Sequence, residues 1–411
     1  MQYYKRENYL KQVRPFYHEC EMIKVFTGIR RCGKSTILNI IKDELLESGV
    51  RKEQIIDINL DKMAYKKIKT PDDLEKIILD MTADAELNYL FIDEIQNVRN
   101  FEEVINAFRE EENYSIFITG SNSYLLSGEL ITKLTGRYLE FQIETLDFGE
   151  YLAMKDLYQK PINSNTAVEF DNYILYGGFP YTVRLDDPEA KRTYVENVIR
   201  EIIQKDVVRM VKVRHLSVFE RVMTFVINNF GSSINIHRIQ KYFKEQERIS
   251  ITEDTVARYV RIMEDAKLIR KCSRFDLKSR TSLRGEQKYY LADLSLYFIQ
   301  NTDNRINYGP VLENIVYNYA LSRKYAVSIG KIGKLECDFI VRDSQMNYAY
   351  LQVSYTILSN RETEEREYRT LEAIRDNYPK YVLTMDYLLQ KRNGIKHENL
   401  MEFIKAERRF D

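Results

Sequence analysis

Through the first 145 residues, short apolar runs alternate with longer stretches in which apolar residues recur every three or four positions. The runs are MIKVFTG, QIIDINL, YLFIDEI, SIFITGS and YLEFQIE. Each is rich in β-branched or aromatic side chains and lacks strict alternation, as strands buried on both faces do. Between them, KSTILNIIKDELLESG and DDLEKIILDMTADA carry helical spacing. The first predicts a stop at Ser48-Gly49; the second predicts a start at Thr70 with Pro71 in the first helical position. Strands alternating with helices predict βαβ units and a parallel sheet.

After Leu146 the strand signal stops. TLDFGEYLAMKDLYQ, VEFDNYILYGGFP and KRTYVENVIREIIQKDVVRMVK all have helical spacing, broken at Gly177-Gly178 and Pro180. Next come three helical segments, VFERVMTFVINNFG, INIHRIQKYFKEQ and ITEDTVARYVRIMEDAKLI, and a basic stretch with strand-like ends and a turn-like middle. Three helices and a β-hairpin make the winged-helix plan. The last hundred residues read as a helix (PVLENIVYNYALSRKY), strands at AVSIGKI, LECDFIV and YAYLQVSYT, a charged helix, and a strand at KYVLTMD. That predicts a further α/β domain, with no repeat and no low-complexity linker.

Composition narrows the class. The 411 residues are 44% hydrophobic and 30% charged, as in a folded chain of two or three domains. No apolar run approaches the ~20 residues of a membrane helix. The N-terminus has no apolar signal core, so no membrane partner and a cytoplasmic location are expected. Cys20, Cys32, Cys272 and Cys337 lack CxxC spacing and the four histidines are scattered, which fits reduced thiols rather than a disulfide or zinc framework. Net charge is zero, but residues 71–115 hold 13 acidic against 3 basic side chains, and residues 201–290 hold 11 against 19. The basic stretch admits a polyanion partner; ordinary solvated helix faces explain it equally well.

Candidate chemistry begins at Gly28-Ile29-Arg30-Arg31-Cys32-Gly33-Lys34-Ser35, which matches GxxxxGK[ST] between a strand and a helix. Glycines let main-chain N–H groups curl around phosphate oxygens, and the helix points its positive end at the same anion. Lys34 is expected on the β- and γ-phosphates and Ser35 on Mg²⁺, with Cys32 and Thr36 completing the loop. The strand YLFI runs into Asp93-Glu94. Asp93 is expected in the Mg²⁺ shell and Glu94 on the attacking water. Arg30 and Arg31 could serve phosphate, acidic partners or DNA.

These motifs, with ITGSNS and LTGRYLEF, resemble the AAA+ division of P-loop ATPases, and in particular a prokaryotic family that joins such an ATPase to a winged helix and a C-terminal domain of unassigned function. The resemblance covers nearly the whole chain. It implies an α/β fold with a P-loop NTPase parallel sheet and helical lid, then a winged helix, then a restriction-endonuclease-like α/β domain. The expected boundaries are 1–145 for the AAA+ core, 146–213 for the lid, 214–298 for the winged helix and 299–411 for the last domain. It also implies a catalytic sensor at Ser121 or Asn122, within Thr119-Gly120-Ser121-Asn122. Arg137, before the fifth strand, stands where such proteins place an arginine finger serving a neighbouring subunit, which would imply an oligomer; a helix-capping arginine reads equally well.

In the winged helix, Arg258 and Arg261 fall on the expected recognition helix with Thr255 and Tyr259, and Lys271, Arg274, Lys278, Arg280, Arg284 and Lys288 crowd the hairpin. Such a stripe suits phosphate contacts with double-stranded DNA, although winged helices also dock proteins. The last domain resembles the PD-(D/E)xK nuclease fold at Glu313, Asp338, Gln352 and Ser354. Gln352 and Ser354 replace the acid and lysine of an active enzyme, which favours a non-cleaving scaffold. The chain is thus expected to be an ATP-binding and ATP-hydrolysing switch. Two other readings stay open: an ATP-gated DNA-binding or DNA-cleaving protein, and a nucleotide-binding scaffold with little turnover and a protein partner.

Overall fold

The computed structural model describes residues 3–120, 134, 136–207, 215–279, 281–301 and 306–411. These form two compact units. The first comprises residues 1–144, 201–211 and 265–267; the second holds 145–200, 212–264 and 268–411.

The first unit contains α1 (Glu7–Val13), β1 (Ile23–Thr27), α2 (Lys34–Glu47), β2 (Ile55–Asn59), α3 (Pro71–Met81), β3 (Asn88–Asp93), α4 (Phe101–Glu110), β4 (Tyr114–Thr119) and β5 (Tyr138–Gln142). All five expected strands form, and they pair in parallel in the order β2-β3-β4-β1-β5. The three central strands β3, β4 and β1 are buried along their whole length, which is why their sequences are continuously apolar. On one face Leu90, Ile92, Ile116 and Ile118 pack with Leu74, Ile78, Phe101, Ile105 and Phe108. On that same sheet Phe91 stacks on Phe117 with centroids 4.6 Å apart. The α3 start is as expected: the Thr70 hydroxyl accepts from the Asp73 N–H, and Asp73 accepts from the Thr70 N–H. Because β4 lies between β1 and β3, the loop after β1 and the acids after β3 flank the end of β4.

The second unit begins with α5 (Phe148–Leu157), α6 (Thr166–Tyr176) and α7, whose last residue belongs to the first unit (Pro188–Glu201). There follow α8 (Leu216–Asn228), β6 (Ser233–Ile234), α9 (Ile236–Glu245), α10 (Glu253–Asp265), β7 (Ile269–Asp276), β8 (Thr281–Leu291), α11 (Ser295–Gln300) and α12 (Tyr308–Ser322). The chain then forms β9 (Ala326–Ile332), β10 (Leu335–Arg342), β11 (Tyr348–Val353), α13 (Arg361–Glu372), β12 (Lys380–Thr384), β13 (Lys391–Arg392), β14 (Ile395–Asn399) and α14 (Leu400–Lys405). The three helices and hairpin of the winged-helix plan are present. Their hairpin, however, is not a separate wing. Strand β7 pairs in parallel with β9, Phe275 opposite Gly330, and one sheet runs β13-β14-β12-β11-β10-β9-β7-β8-β6. The expected boundary at 298/299 therefore cuts through a single nine-stranded sheet.

Of the expected lid, 146–213, residues 146–200 belong to the second unit. The Gly177-Gly178 turn shows how they are anchored. A Cβ at Gly177 (φ +75°) would lie 1.9 Å from Asp293 Oδ1, and one at Gly178 would lie 2.2 Å from the Leu146 carbonyl oxygen. The Gly178 N–H donates to Asp293 at 2.9 Å, and Leu146 N–H donates to the Gly178 carbonyl at 2.8 Å. Burial pushes the Asp293 carboxyl up from its ordinary range. No helix among the described residues is long and apolar enough to cross a membrane.

Candidate nucleotide-binding site

The loop between β1 and α2 is shaped by glycine geometry. Gly28 has φ +141° and Gly33, at the N-terminus of α2, has φ +109°. A Cβ at Gly28 would stand 2.1 Å from the Ile143 carbonyl oxygen and 2.8 Å from Cys32 Sγ. Only glycine lets β1 turn into the loop there. Cys32 fills the space beneath, fully buried, and burial raises its thiol pKa. Lys34 turns back into the loop: its ammonium donates to the Gly28 and Ile29 carbonyls at 2.9 and 3.3 Å. Ser35 is exposed on the first turn of α2, where the helix N–H groups have no intrahelical partner.

Across β4, the two acids after β3 are fixed in different ways. Asp93 is buried; Asn59, its register partner on β2, donates to Oδ2 at 2.8 Å, and the Thr119 hydroxyl donates to Oδ1. The same hydroxyl accepts the Glu94 N–H at 3.2 Å. Thr119 thus ties both acids to the end of β4. Glu94 takes a left-handed conformation (φ +60°), rare for a residue with a Cβ, and accepts from the Gln96 side chain. That kink turns consecutive carboxylates out of strand alternation. The hard oxygen donors at hand, the exposed Ser35 hydroxyl and the Asp93 carboxylate, are those a magnesium ion prefers, so these residues fit Mg²⁺ held jointly with phosphate.

Arg30 and Arg31 do not stand free over the loop. Arg30 pairs with Asp206 through two hydrogen bonds of 2.9 and 3.1 Å, and Arg31 pairs with Glu201 at 3.1 to 3.2 Å. Arg137 is exposed, with Nη1 donating to Asn106 Oδ1 at 3.0 Å. Its carbonyl accepts from Ile23 at the start of β1, the end opposite the phosphate loop, so Arg137 does not serve the site of its own chain. Thr36 is half-buried on α2. Ser121 and Asn122 lie outside the described residues.

In the second unit, Glu313 (α12), Asp338 (β10) and Gln352 (β11) do converge, but around an ammonium. Lys288 of β8 reaches Glu313 at 3.2 Å and Glu336 at 3.1 Å, and Tyr290 OH donates to Glu313 at 2.7 Å. Burial works against the Lys288 charge, yet Glu313, Asp338 and Glu336 hold its pKa above the ordinary lysine value. Burial and then the Glu313 charge push the Asp338 carboxyl well up. Gln352 is spent at both ends: its oxygen accepts the Asp338 N–H at 3.0 Å and its nitrogen donates to Glu367 at 2.9 Å. Ser354 Oγ donates to the Thr356 carbonyl at 3.4 Å. A divalent metal does not fit here, since Lys288 already supplies the positive charge. Among the described residues no group of three or more His, Cys, Asp or Glu is arranged to hold a metal ion.

The expected DNA-contact residues divide. Arg258, Arg261, Lys271 and Lys278 are exposed. Arg274 is half-buried and bonded to Ser233 and Glu336, at 2.7 and 2.9 Å, and Lys288 is buried, so neither is free for phosphate. Tyr259, on the expected recognition helix, is in the core against Phe219. Arg280 and the side chain of Arg284 lie outside the described residues.

Residues 21–152 match the model of an AAA domain family, and residues 167–304 match a domain of unknown function. An uncharacterized protein of Haemophilus influenzae is 34% identical over 94% of both chains. This chain belongs to its family, an AAA-domain family of P-loop ATPases. An uncharacterized protein of Methanocaldococcus jannaschii is 30% identical, covering 86% of this chain and 79% of its own. A Walker-type ATPase of Pyrococcus abyssi superposes with a TM-score of 0.53 at 15% identity, covering 72% of this chain and 95% of that one, which shows a shared fold.

Two residues that hold Asp93, and two acids that pair with the arginines of the loop, were not singled out as site residues in the sequence. Asn59 and Thr119 end strands beside Asp93, and strand-end polarity was the available clue. Glu201 and Asp206 are separated from the loop by about 170 residues, and their five-residue spacing does not place them on one face of an α-helix.

Proposed function

We propose that this AAA-family protein binds MgATP in the loop after β1, hydrolyses it, and passes its nucleotide state to the rest of the chain. The observation that carries this reading is the joint tethering of Asp93 and Glu94 by the Thr119 hydroxyl, opposite a glycine-shaped loop that already holds an ammonium. Backbone N–H groups from Gly33 into α2 bind phosphate oxygens. Lys34 leaves the Gly28 and Ile29 carbonyls for the β- and γ-phosphates. Asp93 and Ser35 would hold Mg²⁺, which when bound neutralises phosphate charge. Glu94 orients the attacking water and takes its proton.

The test is an ATPase assay with ATP-binding measurements. Lys34→Ala should abolish binding; unchanged affinity would remove the phosphate role. Glu94→Gln should bind ATP without turning it over; normal turnover would remove the role of Glu94. If Arg137 acts on a neighbouring copy, specific activity rises with protein concentration and Arg137→Ala flattens that rise.

The exposed Arg258, Arg261, Lys271 and Lys278 support a second reading, in which the winged helix binds double-stranded DNA. Binding that falls steeply with salt, and less steeply after Arg258→Ala, would support it; salt-independent binding would oppose it. For the centre around Lys288 we favour a non-cleaving role.

A further inference from the structure

Two adjacent arginines of the phosphate loop are each gripped by a carboxylate from one short segment. Glu201 closes α7, and Asp206 lies in the π-turn that follows it, Ile202–Val207. In an α-helix, side chains five residues apart diverge by about 140°. One of these acids would then point away from the loop. The i→i+5 repeat of the π-turn brings both onto one face, and such turns occur frequently at functional sites.

The two pairs differ in environment. Arg31 and Glu201 side chains are 53% and 30% exposed, against 11% and 7% for Arg30 and Asp206. A wet pair contributes little, while a dry one costs both charges their hydration and is poorly explained by stability alone. The Arg30–Asp206 fork uses Nε and Nη2. It leaves Nη1 with no hydrogen-bond partner among the described residues. Asp206, Glu94 and Glu201 all act electrostatically on this guanidinium, so Arg30 stands near the proposed catalytic acid.

We infer that Asp206 is a positioning residue: it grips one edge of the Arg30 guanidinium and leaves the other edge for the triphosphate, so that Arg30 supplies in cis the positive charge phosphoryl transfer needs. This rests on the ATPase reading above. In that reaction the water oxygen bonds to Pγ, the bond from Pγ to the bridging oxygen breaks, ADP leaves with the electron pair, and Glu94 takes the water proton. The charge that builds on the phosphoryl oxygens is what an arginine stabilises. A fork fixed by a carboxylate meets that charge without reorganising.

The experiment is steady-state MgATP hydrolysis by the full-length protein and its variants. Asp206→Asn should lower kcat at least about tenfold, with KM changed less than about threefold. Asp206→Glu should recover much of that loss, and Glu201→Gln, on the wet pair, should leave both constants within about twofold. Arg30→Lys keeps the charge without the fork; it should fall as Asp206→Asn does, and it carries the test if Asp206→Asn does not fold. The double variant should fall no further than either single one. Wild-type kcat in Asp206→Asn, an equal loss in Glu201→Gln, or tighter ATP binding with undiminished kcat would each overturn the inference. Turnover that needs Lys34 but ignores Asp206 would refute only the positioning role, whereas a wild-type protein without turnover would remove the ATPase reading as well.

Discussion

Lys24 lies in the middle of the first unit's sheet, on β1, with no exposed surface. Its ammonium donates to the Glu19 carbonyl at 2.5 Å and the Ser115 hydroxyl at 2.9 Å, and sits 4.6 Å from the Phe117 ring centroid. None of these partners is a carboxylate, and burial pulls its pKa from 10.5 down to about 7. A base with a depressed folded-state pKa weakens the fold while both states are protonated. Below pH 7 the cost is complete. Between pH 7 and 10.5 the unfolded chain still holds the proton and the folded one does not, so stability rises with pH. The full span of about 3.5 pKa units corresponds to about 5 kcal/mol, and the part between pH 7 and 9.5 to about 3 kcal/mol. Lys24→Met keeps the length and apolar stem and removes the charge. The Ser115 hydroxyl keeps a partner, because it donates to the Tyr17 carbonyl at 2.8 Å. Allowing for the lost bonds and the ring contact, the variant should be about 2 to 4 kcal/mol more stable at pH 7 and lose most of the upward slope. The chain has no tryptophan, but Cys32 is buried in the same unit. Urea titrations at pH 6.5, 8 and 9.5, read by brief thiol labelling of Cys32 at one fixed pH, isolate this unit. Taking the difference between the two proteins cancels other groups that titrate in this range. An equal slope in Lys24→Met, or a variant less stable at pH 7, would refute the reasoning.

Other outcomes rest on the same kind of arithmetic. Gly28→Ala puts a methyl 2.1 Å from the Ile143 carbonyl oxygen in a backbone conformation alanine resists, so ATP binding measured by equilibrium dialysis should weaken more than about 100-fold. Gly177→Ala should destabilise the second unit by about 2 to 4 kcal/mol in urea titrations, because its methyl strikes Asp293 and φ is +75°. Lys288→Met leaves Glu313, Asp338 and Glu336 without their ammonium and should cost about 3 to 5 kcal/mol near pH 8. That cost should shrink as pH falls and the Asp338 carboxyl, pushed well up by burial, takes up its proton, and a pH-independent loss would mean a packing effect.

The parts of this protein that local rules dictate were legible. Each strand of the first sheet is a contiguous apolar run, and the loop's glycines, Lys34, Ser35, Asp93 and Glu94 sit in contiguous motifs whose backbone demands are local. The parts built by distant pairing were not. Asp206 reaches Arg30 through a π-turn, and no apolar periodicity announces a π-turn in advance. Lys288 and Arg274 read as a basic surface stripe because strand alternation shows that two residues share a face, not which face is covered. Their acids, Glu313 and Glu336, arrive from elements later in the chain. The expected lid and wing were drawn where composition changes, but composition is blind to the Gly177-Gly178 clasp on Asp293.

The parallel union of β7 with β9 has a consequence for how this chain can be taken apart. Cutting between the β7–β8 hairpin and the strands C-terminal to it would bare a row of amide and carbonyl groups on both fragments, and such rims recruit strangers. Neither fragment could travel alone into another gene without a replacement neighbour to zip against, so the two are expected to be inherited, lost and swapped together.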